Sequence, residues 1–529
     1  MKNNSLNILN ERKFPVGIQD FEDLRTNGYL YVDKTAYIWR LATTGKPYFL
    51  GRPRRFGKSL LISTMKAYFL GKKELFGGLA IAELEKEWVE HPVFHLDMNV
   101  ESYLNLASLY TALDTNLRMI EEKWGKNECE QSPSARFLGL IRRAYEKTGR
   151  KVVVLVDEYD KPLLGLQDDM NVDNDIRKLL KGFYGTLKSA DAYLRFVFLT
   201  GVTKFSKVSV FSDLNHLTDI SLDKKYAGIC GISETELINC LKPEINALAD
   251  ELDKTYEETL HELKKRYDGY HFTEKTEGMY NPYSLLRTFA AGRLRNYWFE
   301  TGTPTFLVRT LKKQDFDIKR LEKDVKISSL SITEYRAGDN DPAPLLYQTG
   351  YLTIKDYDER LDAYILGFPN EEVKYGFLNE LLPVFMPKAE NQSDFYVLNF
   401  VNDMLTGDVE SFMNRLKAFF AGIPYELNNK TEKDYQTVFY LLLTLMGQFV
   451  DAEQRCAAGR ADAVVKTGDT VYVFEFKLTG NATAEDALKQ IDEKGYLIPF
   501  TAGNKKLVKI GAEFSTEERT LNRWIIQML

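Results

Sequence analysis

Cysteine and histidine are scarce in this 529-residue chain, and their scarcity excludes whole classes of site. The four cysteines, Cys129, Cys230, Cys240 and Cys456, form no C-x-x-C pair, so neither a disulfide framework nor a cysteine zinc site is expected. The five histidines include no H-E-x-x-H, which removes the helical zinc-protease arrangement. Long apolar runs are lacking too. The longest nearly apolar stretch, Val438 to Val450, contains Thr444 and Gln448 and falls short of the roughly 20 residues a membrane-spanning helix needs. Met1 to Pro15 is polar, without the apolar core of a signal peptide. There is no internal repeat and no low-complexity linker. A soluble, reduced, cytoplasmic protein without membrane contact is therefore expected. Its 44% hydrophobic and 28% charged residues are ordinary for globular chains, and its length allows two to four domains, each with its own core. The formal charge of −6 gives no global attraction to nucleic acid, so any such binding must come from local patches.

What is present begins with Arg52-Pro53-Arg54-Arg55-Phe56-Gly57-Lys58-Ser59-Leu60-Leu61. Tyr48 to Leu50 before it reads as a strand and Leu60 to Leu70 after it as an amphipathic helix, the strand–loop–helix context of a phosphate-cradling loop. Gly57 lets the backbone approach phosphates, Lys58 reaches β/γ oxygens, and Ser59 can ligate Mg²⁺ at the helix N-terminus. Backbone N–H groups of Arg54, Arg55, Phe56 and Leu60 belong to the same cradle. The match to G-x-x-x-x-G-K-[ST] is imperfect: its first glycine falls on Arg52, and Gly51 stands one residue early. The bland reading is a basic turn that happens to contain Gly-Lys-Ser.

Val152 to Val156 is a β-branched apolar run of the kind covered on both faces, and Asp157-Glu158 follows it, 99 residues after Lys58. Carboxylates at the C-terminal end of such a strand sit where open α/β sheets bind ligands. Asp157 would hold Mg²⁺ and Glu158 would orient or polarise the attacking water; a solvated acidic turn is the alternative. Arg195 to Gly201 is a second buried-strand pattern with a polar end, so Thr200, Thr203 or Lys204 would read the γ-phosphate, unless this is a plain core strand. Asp33, in Tyr31-Val32-Asp33-Lys34-Thr35, suits a helix N-cap. Together these segments predict a nucleoside triphosphate with Mg²⁺.

Residues 14–225 alternate strand-like and helix-like segments, as an α/β domain built around a P-loop should. From 226 to 400 the pattern is mixed and predicts a helical lid with a small winged-helix-like unit. Ser233 to Glu236 opens a helix as a capping box, and Tyr351 to Ile354 and Ala363 to Leu366 pair as a hairpin. The aromatic segments Tyr267 to Phe272 and Tyr280 to Ser284 are read as packing in preference to a base-stacking surface.

A second constellation lies beyond residue 401. In Val471 to Leu478 side chains alternate, so Glu475 and Lys477 share one face with Val471 and Val473, while Tyr472, Phe474 and Phe476 cover the other. An acid and a base in a strand apolar on both sides are expensive to bury without a purpose. Asp462 lies 13 residues before Glu475, across the Lys466–Thr470 turn, where antiparallel pairing brings the two carboxylates together. Carboxylates converging on a hard cation beside a lysine make a phosphodiester-cleaving site, with Mg²⁺ or Mn²⁺ held by Asp462 and Glu475 and Lys477 orienting or activating water. Glu432 would add a carboxylate, and Gln490 on the next helix would touch the lysine or substrate. A cross-strand ion pair at a sheet edge is the structural alternative.

These motifs carry a resemblance. Val16-Gly17-Ile18, Asp20-Phe21, Tyr31 to Thr35, Arg52 to Ser59 and Val156 to Asp160 resemble the bacterial AAA-ATPase-like family, whose own loop carries the shifted glycine. Residues from about 401 resemble the PD-(D/E)XK nuclease superfamily that commonly follows this ATPase. Asp462 matches its aspartate and Glu475 with Lys477 its E-x-K, although the P-D dipeptide itself is absent, Ala461 standing before Asp462. The resemblance implies an α/β fold of three parts: an AAA-like parallel-sheet domain, the middle region, and a restriction-endonuclease-like α/β domain at 401–529. It also implies ATP hydrolysis and DNA cleavage, in defence or mobile-element biology. A nucleotide-dependent switch that binds nucleic acid or a partner without cutting is the competing class. Residues 401–529 hold 15 Lys plus Arg against 18 Asp plus Glu, a net of −3, poor for a large phosphate footprint. Lys505, Lys506 and Lys509 form the compact basic cluster there, or a solvated face. Arg54 and Arg55 would touch phosphates or a neighbouring subunit, the latter implying a homo-oligomer.

Overall fold

The computed structural model describes residues 12–164, 170–203, 216–301, 307, 311, 316, 318–322, 325–333, 341–385, 393–421, 432–447, 450–453, 461–501, 503–515, 517–518 and 520–529. The chain divides into two compact units, residues 1–301 with 320–373 and residues 302–319 with 374–529.

In the first unit five described strands form a parallel sheet. They are β1 (Tyr48–Gly51), β2 (Val93–Asp97), β3 (Val152–Asp157), β4 (Leu194–Gly201) and β5 (Thr218–Asp219), in the order β2-β3-β4-β1-β5. All six residues of β3 are buried, because helices cover a parallel sheet on both faces and leave no polar side to alternate with. The helix after β1, α1 (Lys58–Phe69), starts two residues earlier than its apolar pattern suggests. It is buried around most of its circumference, so it is a core helix and not a surface amphipath. Since β4 lies between β1 and β3, the turn after β1 and the turn after β3 flank the end of β4 at one edge of the sheet.

Residues 226–301 and 320–373 belong to this same compact unit, and residues 302–319 to the other. Strand β6 (Ile232–Ser233) pairs with β7 (Met279–Tyr280). Ser233 then caps helix Glu234–Cys240 with the expected reciprocal Glu236 contact. This helix packs with Lys242–Glu251, Tyr256–Tyr267 and Pro282–Ala291 around Leu237, Leu241, Ile245, Leu263, Tyr267 and Leu285. A small antiparallel sheet follows, β8 (Val325–Ser328), β9 (Thr353–Asp358) and β10 (Ala363–Gly367) in the order β8-β10-β9, and its last two strands are the expected hairpin.

The second unit holds a mixed sheet, β11 (Asp451–Glu453), β12 (Ala463–Lys466), β13 (Thr470–Leu478), β14 (Lys506–Ser515) and β15 (Thr520–Met528), in sequential order with only β13 and β14 parallel. The alternation in β13 is realised. Phe474 packs on Phe412 at 5.5 Å between ring centres, Phe476 on Phe439 at 4.6 Å, and the Tyr472 hydroxyl donates to the Met404 carbonyl. The other face is covered by α2 (Ala484–Glu493), capped by Thr483 with Asp486.

Helix α2 approaches the sheet so closely that a Cβ on Gly511 would lie 2.3 Å from the Ala484 carbonyl oxygen. Gly511→Ala should therefore destabilise this unit by about 1–3 kcal/mol, the usual range for overpacking. Gly468→Ala, where a Cβ meets no atom within 4 Å, should leave the melting temperature of the full chain unchanged and serves as the control.

Candidate functional site

The turn after β1 is shaped by two residues in the left-handed region, Arg55 (φ 68°) and Gly57 (φ 88°). Gly57 caps α1, and a Cβ there would meet no atom within 4 Å, so the helix N-terminus faces open space. Unpaired N–H groups and the helix dipole make such an end an anion site. Lys58 is buried, and its Nζ donates to the carbonyls of Arg52 and Pro53, 3.0 Å from each. Burial holds its ammonium below the usual lysine range, against the pull of Glu158, Asp157 and Asp160. Ser59 and Leu60 are partly buried in the first turn, and Arg54 is exposed at the loop tip. Phe56 is buried, its ring 4.7 Å from that of Tyr270, so only its backbone is left to serve a phosphate.

Beyond β4, strand β3 delivers Asp157 and Glu158 to the same edge. Thr200, fully buried at the end of β4, donates to Asp157 Oδ1 at 2.6 Å, and the Glu158 N–H donates to the same oxygen. Glu158 sits at φ 49°, a backbone state that non-glycine residues hold at a cost and that clusters at functional turns. Burial lifts its carboxyl above the usual range, partly offset by Lys58. Thr203 is engaged as well: its N–H and hydroxyl both reach Asp160 Oδ2, at 2.6 and 2.8 Å. The two threonines are thus bonded to carboxylates, and Lys204 lies outside the described residues.

In the second unit Glu475 is 3% exposed and its Oε1 accepts from Lys477 Nζ at 3.0 Å and from Gln490 Nε2. Lys477 Nζ also donates to Gln490 Oε1 at 2.6 Å, which closes a triangle between β13 and α2. Asp462, just before β12, accepts from the Phe476 N–H at 2.8 Å and stands close enough to act on Glu475. Burial first and Asp462 second raise the Glu475 carboxyl above its usual range, against Lys477. Among the described residues Glu475 Oε2 is buried with no side-chain hydrogen bond, and the Asp462 backbone N–H also acts on the carboxyl. Helix Glu432–Met446 contains Glu432, whose side chain lies outside the described residues.

Residues 15–211 match the family described as predicted AAA-ATPase, and residues 430–524 match the PD-(D/E)XK nuclease superfamily. A protein of Azotobacter chroococcum mcd 1, described as an uncharacterized protein in the vnfD 5′ region, is 36% identical over 534 residues, spanning 98% of this chain and 100% of that one. The chain is an AAA-ATPase-like protein with a PD-(D/E)XK nuclease superfamily domain. A superposition on the Aeropyrum pernix ORC2 protein (ADPNP-ADP complexes) covers 68% of this chain and 92% of that one at 12% identity, with a TM-score of 0.23, too low to bear on fold or function.

Two further carboxylates of the AAA-ATPase-like protein lie at this end of the sheet, without a role assigned from the sequence. Asp160 is fully buried and pins Val202 and Thr203 to the turn after β3, and Asp97 ends β2 in register with Asp157. Its family motif contains Asp160, but nothing in the spacing distinguishes a pinning carboxylate from a solvated one. The basic cluster is corrected. Lys509 is buried in an ion pair with Asp492 at 2.8 Å, because its position on β14 points it under α2, so it adds nothing to an exposed patch with Lys505 and Lys506. None of the helices searched among the described residues is long and apolar enough to cross a membrane.

The residues fit a cation in part. No group of three or more His, Cys, Asp or Glu is gathered for a metal among the described residues, yet the Asp462–Glu475 pair offers oxygen donors, one of them buried with no side-chain partner among those residues, the chemistry a hard cation takes. Because the native Glu475 carboxyl binds its proton more tightly than the unfolded chain does, its ionisation costs stability as pH rises from the unfolded value through the raised native one. A cation bound there should reverse that cost. Excess Mn²⁺ or Mg²⁺, without nucleotide and in a Lys58→Ala background, at about a hundredfold over its Kd should stabilise this domain by about 2.7 kcal/mol at pH 8, by less at pH 5 where protons compete, and not at all in Asp462→Ala.

Proposed function

We propose that this protein hydrolyses ATP at the Lys58 loop and cleaves DNA phosphodiester bonds at the Asp462–Glu475–Lys477 centre with Mg²⁺ or Mn²⁺. The observation that carries the reading is the buried Glu475 carboxylate. Among the described residues one oxygen is bonded by Lys477 and Gln490, the other has no side-chain partner, and Asp462 stands beside it. Leaving a buried acceptor unsatisfied costs about 1–3 kcal/mol, a cost that a bound cation would remove.

At this centre Asp462 and Glu475 would hold the cation, which when bound neutralises phosphate charge and lowers the pKa of a coordinated water. Lys477, oriented by Glu475 and Gln490, positions that water or stabilises the charge developing on the phosphate. The net charge of −3 over residues 401–529 leaves the contact with DNA to local groups and the cation. At the loop, Lys58 neutralises phosphate oxygens, and Ser59 and Asp157 would hold Mg²⁺. Glu158, with its raised proton affinity, orients the attacking water. Thr200 fixes the Asp157 carboxylate. Arg54, exposed at the loop tip, is placed for phosphates or for a second copy of the chain.

The deciding experiment is cleavage of linear and circular DNA with Mg²⁺ or Mn²⁺, with and without ATP. Asp462→Ala and Lys477→Ala should each abolish cutting and keep ATP turnover within about twofold of wild type. Lys58→Ala should lower turnover by about a hundredfold or more, and Glu158→Gln should bind ATP and fail to turn it over. Undiminished cutting in both nuclease-domain variants would remove the assignment. No cutting by the wild type under any condition, with ATP still hydrolysed, would leave a nucleotide-dependent switch.

A further inference from the structure

The loop departs from the usual glycine pattern at Arg52, and the departure has a structural use. Positive φ falls on Arg55 and Gly57, not on Arg52, so a side chain at this position strains nothing. That side chain is 1% exposed. Its Nη1 donates to the carbonyls of Gly51 and Ser221 at 2.9 and 2.8 Å, and its Nη2 to the carbonyl of Tyr226 at 3.1 Å. The guanidinium lies over the Phe272 ring, 3.9 Å from its centre. The Arg52 backbone is fixed equally tightly, its N–H on the Gly201 carbonyl at the end of β4 and its carbonyl under the Lys58 ammonium. One residue therefore joins the phosphate loop, the strand carrying Thr200, and the aromatic segment that the motif reading left as packing.

Other loop residues meet that same region. Phe56 packs edge-on against Tyr270 and Phe272, Arg55 stacks on Tyr283 at 4.5 Å, and Pro53 fills the space a Cβ on Gly350 would take. A glycine at position 52 would leave the loop free to move; an arginine bonded to three carbonyls and stacked on a ring removes that freedom before any nucleotide arrives.

We propose that Arg52 and Phe272 are positioning residues for nucleotide binding, which hold the Arg52–Pro53 carbonyls and the Lys58 ammonium in the geometry that phosphate oxygens take over. The proposal rests on the reading of the Lys58 loop as an ATP site. Preorganisation of this kind acts on affinity more than on the chemical step, because the cost of ordering the loop is met in the free protein.

The test is Kd for a fluorescent ATP analogue, with KM, kcat and melting temperature for the full chain. Phe272→Leu, which removes the stacked ring and leaves the carbonyl bonds, should weaken Kd and KM about tenfold while kcat stays within about threefold. Phe272→Tyr should restore wild-type affinity. Arg52→Gly, which installs the glycine of the common pattern, should weaken Kd at least as much as Phe272→Leu. A folded Phe272→Leu or Arg52→Gly that binds like wild type would overturn the proposal. Should Arg52→Gly fail to fold, Phe272→Leu decides alone. Lys58→Ala separates the two levels of inference: wild-type binding in that variant removes the ATP site itself and the proposal with it, whereas lost binding there with unchanged Phe272→Leu removes only the proposal.

Discussion

A buried ammonium must be given acceptors, and in the first unit that requirement falls on Lys58. Moving an unpaired cation out of water costs several kcal/mol in real proteins. The two carbonyls on its Nζ, from Arg52 and Pro53, belong to its own loop, so the chain has to turn back on itself between β1 and α1. That reversal explains the left-handed conformations of Arg55 and Gly57. The remaining compensation is long-range: the carboxylates of Asp157, Glu158 and Asp160 attract Lys58 from the turn after β3. They reach it because β4 alone separates β3 from β1, and Thr200 of β4 and Thr203 just beyond it hold two of those carboxylates in place. The strand order and the site are two aspects of one electrostatic arrangement.

The second unit solves the same problem with different parts. Glu475 and Lys477 are two residues apart on one strand, so they project to one face and meet without any loop rearrangement. The sheet supplies a dry wall, and α2 closes the other side with Gln490, which bonds both members. The approach of α2 depends on Gly511, and Glu513 on the same strand accepts the Ala484 N–H at the first turn of the helix. The acid–base pair thus inherits its geometry from backbone packing on β14, a strand that contributes no group to the triangle itself.

Much of this was legible because the signals were periodic or local. An uninterrupted Val-rich run predicts a strand covered on both faces, and β3 is such a strand. Alternation in Val471 to Leu478 separates the acid and base from the aromatic face, and the contacts of Phe474 and Phe476 with helices follow it. What was illegible depended on long-range packing. Lys509 looks like its neighbours Lys505 and Lys506 in sequence, yet the pleat turns it inward to Asp492. The segment that follows residue 226 folds with the parallel sheet because Tyr270, Phe272 and Tyr283 pack on side chains of a loop about 215 to 230 positions earlier, and no spacing rule announces such a contact. The pinning of Thr203 by Asp160 is hidden for the same reason.

Strain and unpaired polarity occur where the chemistry is proposed, as they do at other positions such as Trp88, and their magnitude shows what holding them costs. A non-glycine residue held at positive φ costs about 1–3 kcal/mol, and a buried polar atom without a partner costs a similar amount, against a total stability of about 5–15 kcal/mol for a typical domain. Arg55 and Glu158 carry the first burden on either side of β4, and Glu475 Oε2 and Asp160 Oδ1 carry the second. An exposed loop would shed such costs by relaxing. These positions are prevented from relaxing by what surrounds them: Arg55 by the Tyr283 ring, Glu158 by the buried strand that precedes it, and Glu475 by Lys477 and Gln490. The surrounding packing therefore does more than exclude water. It keeps charged groups in arrangements that the proposed phosphate ligands would complete, the physical condition for binding energy to be directed at them.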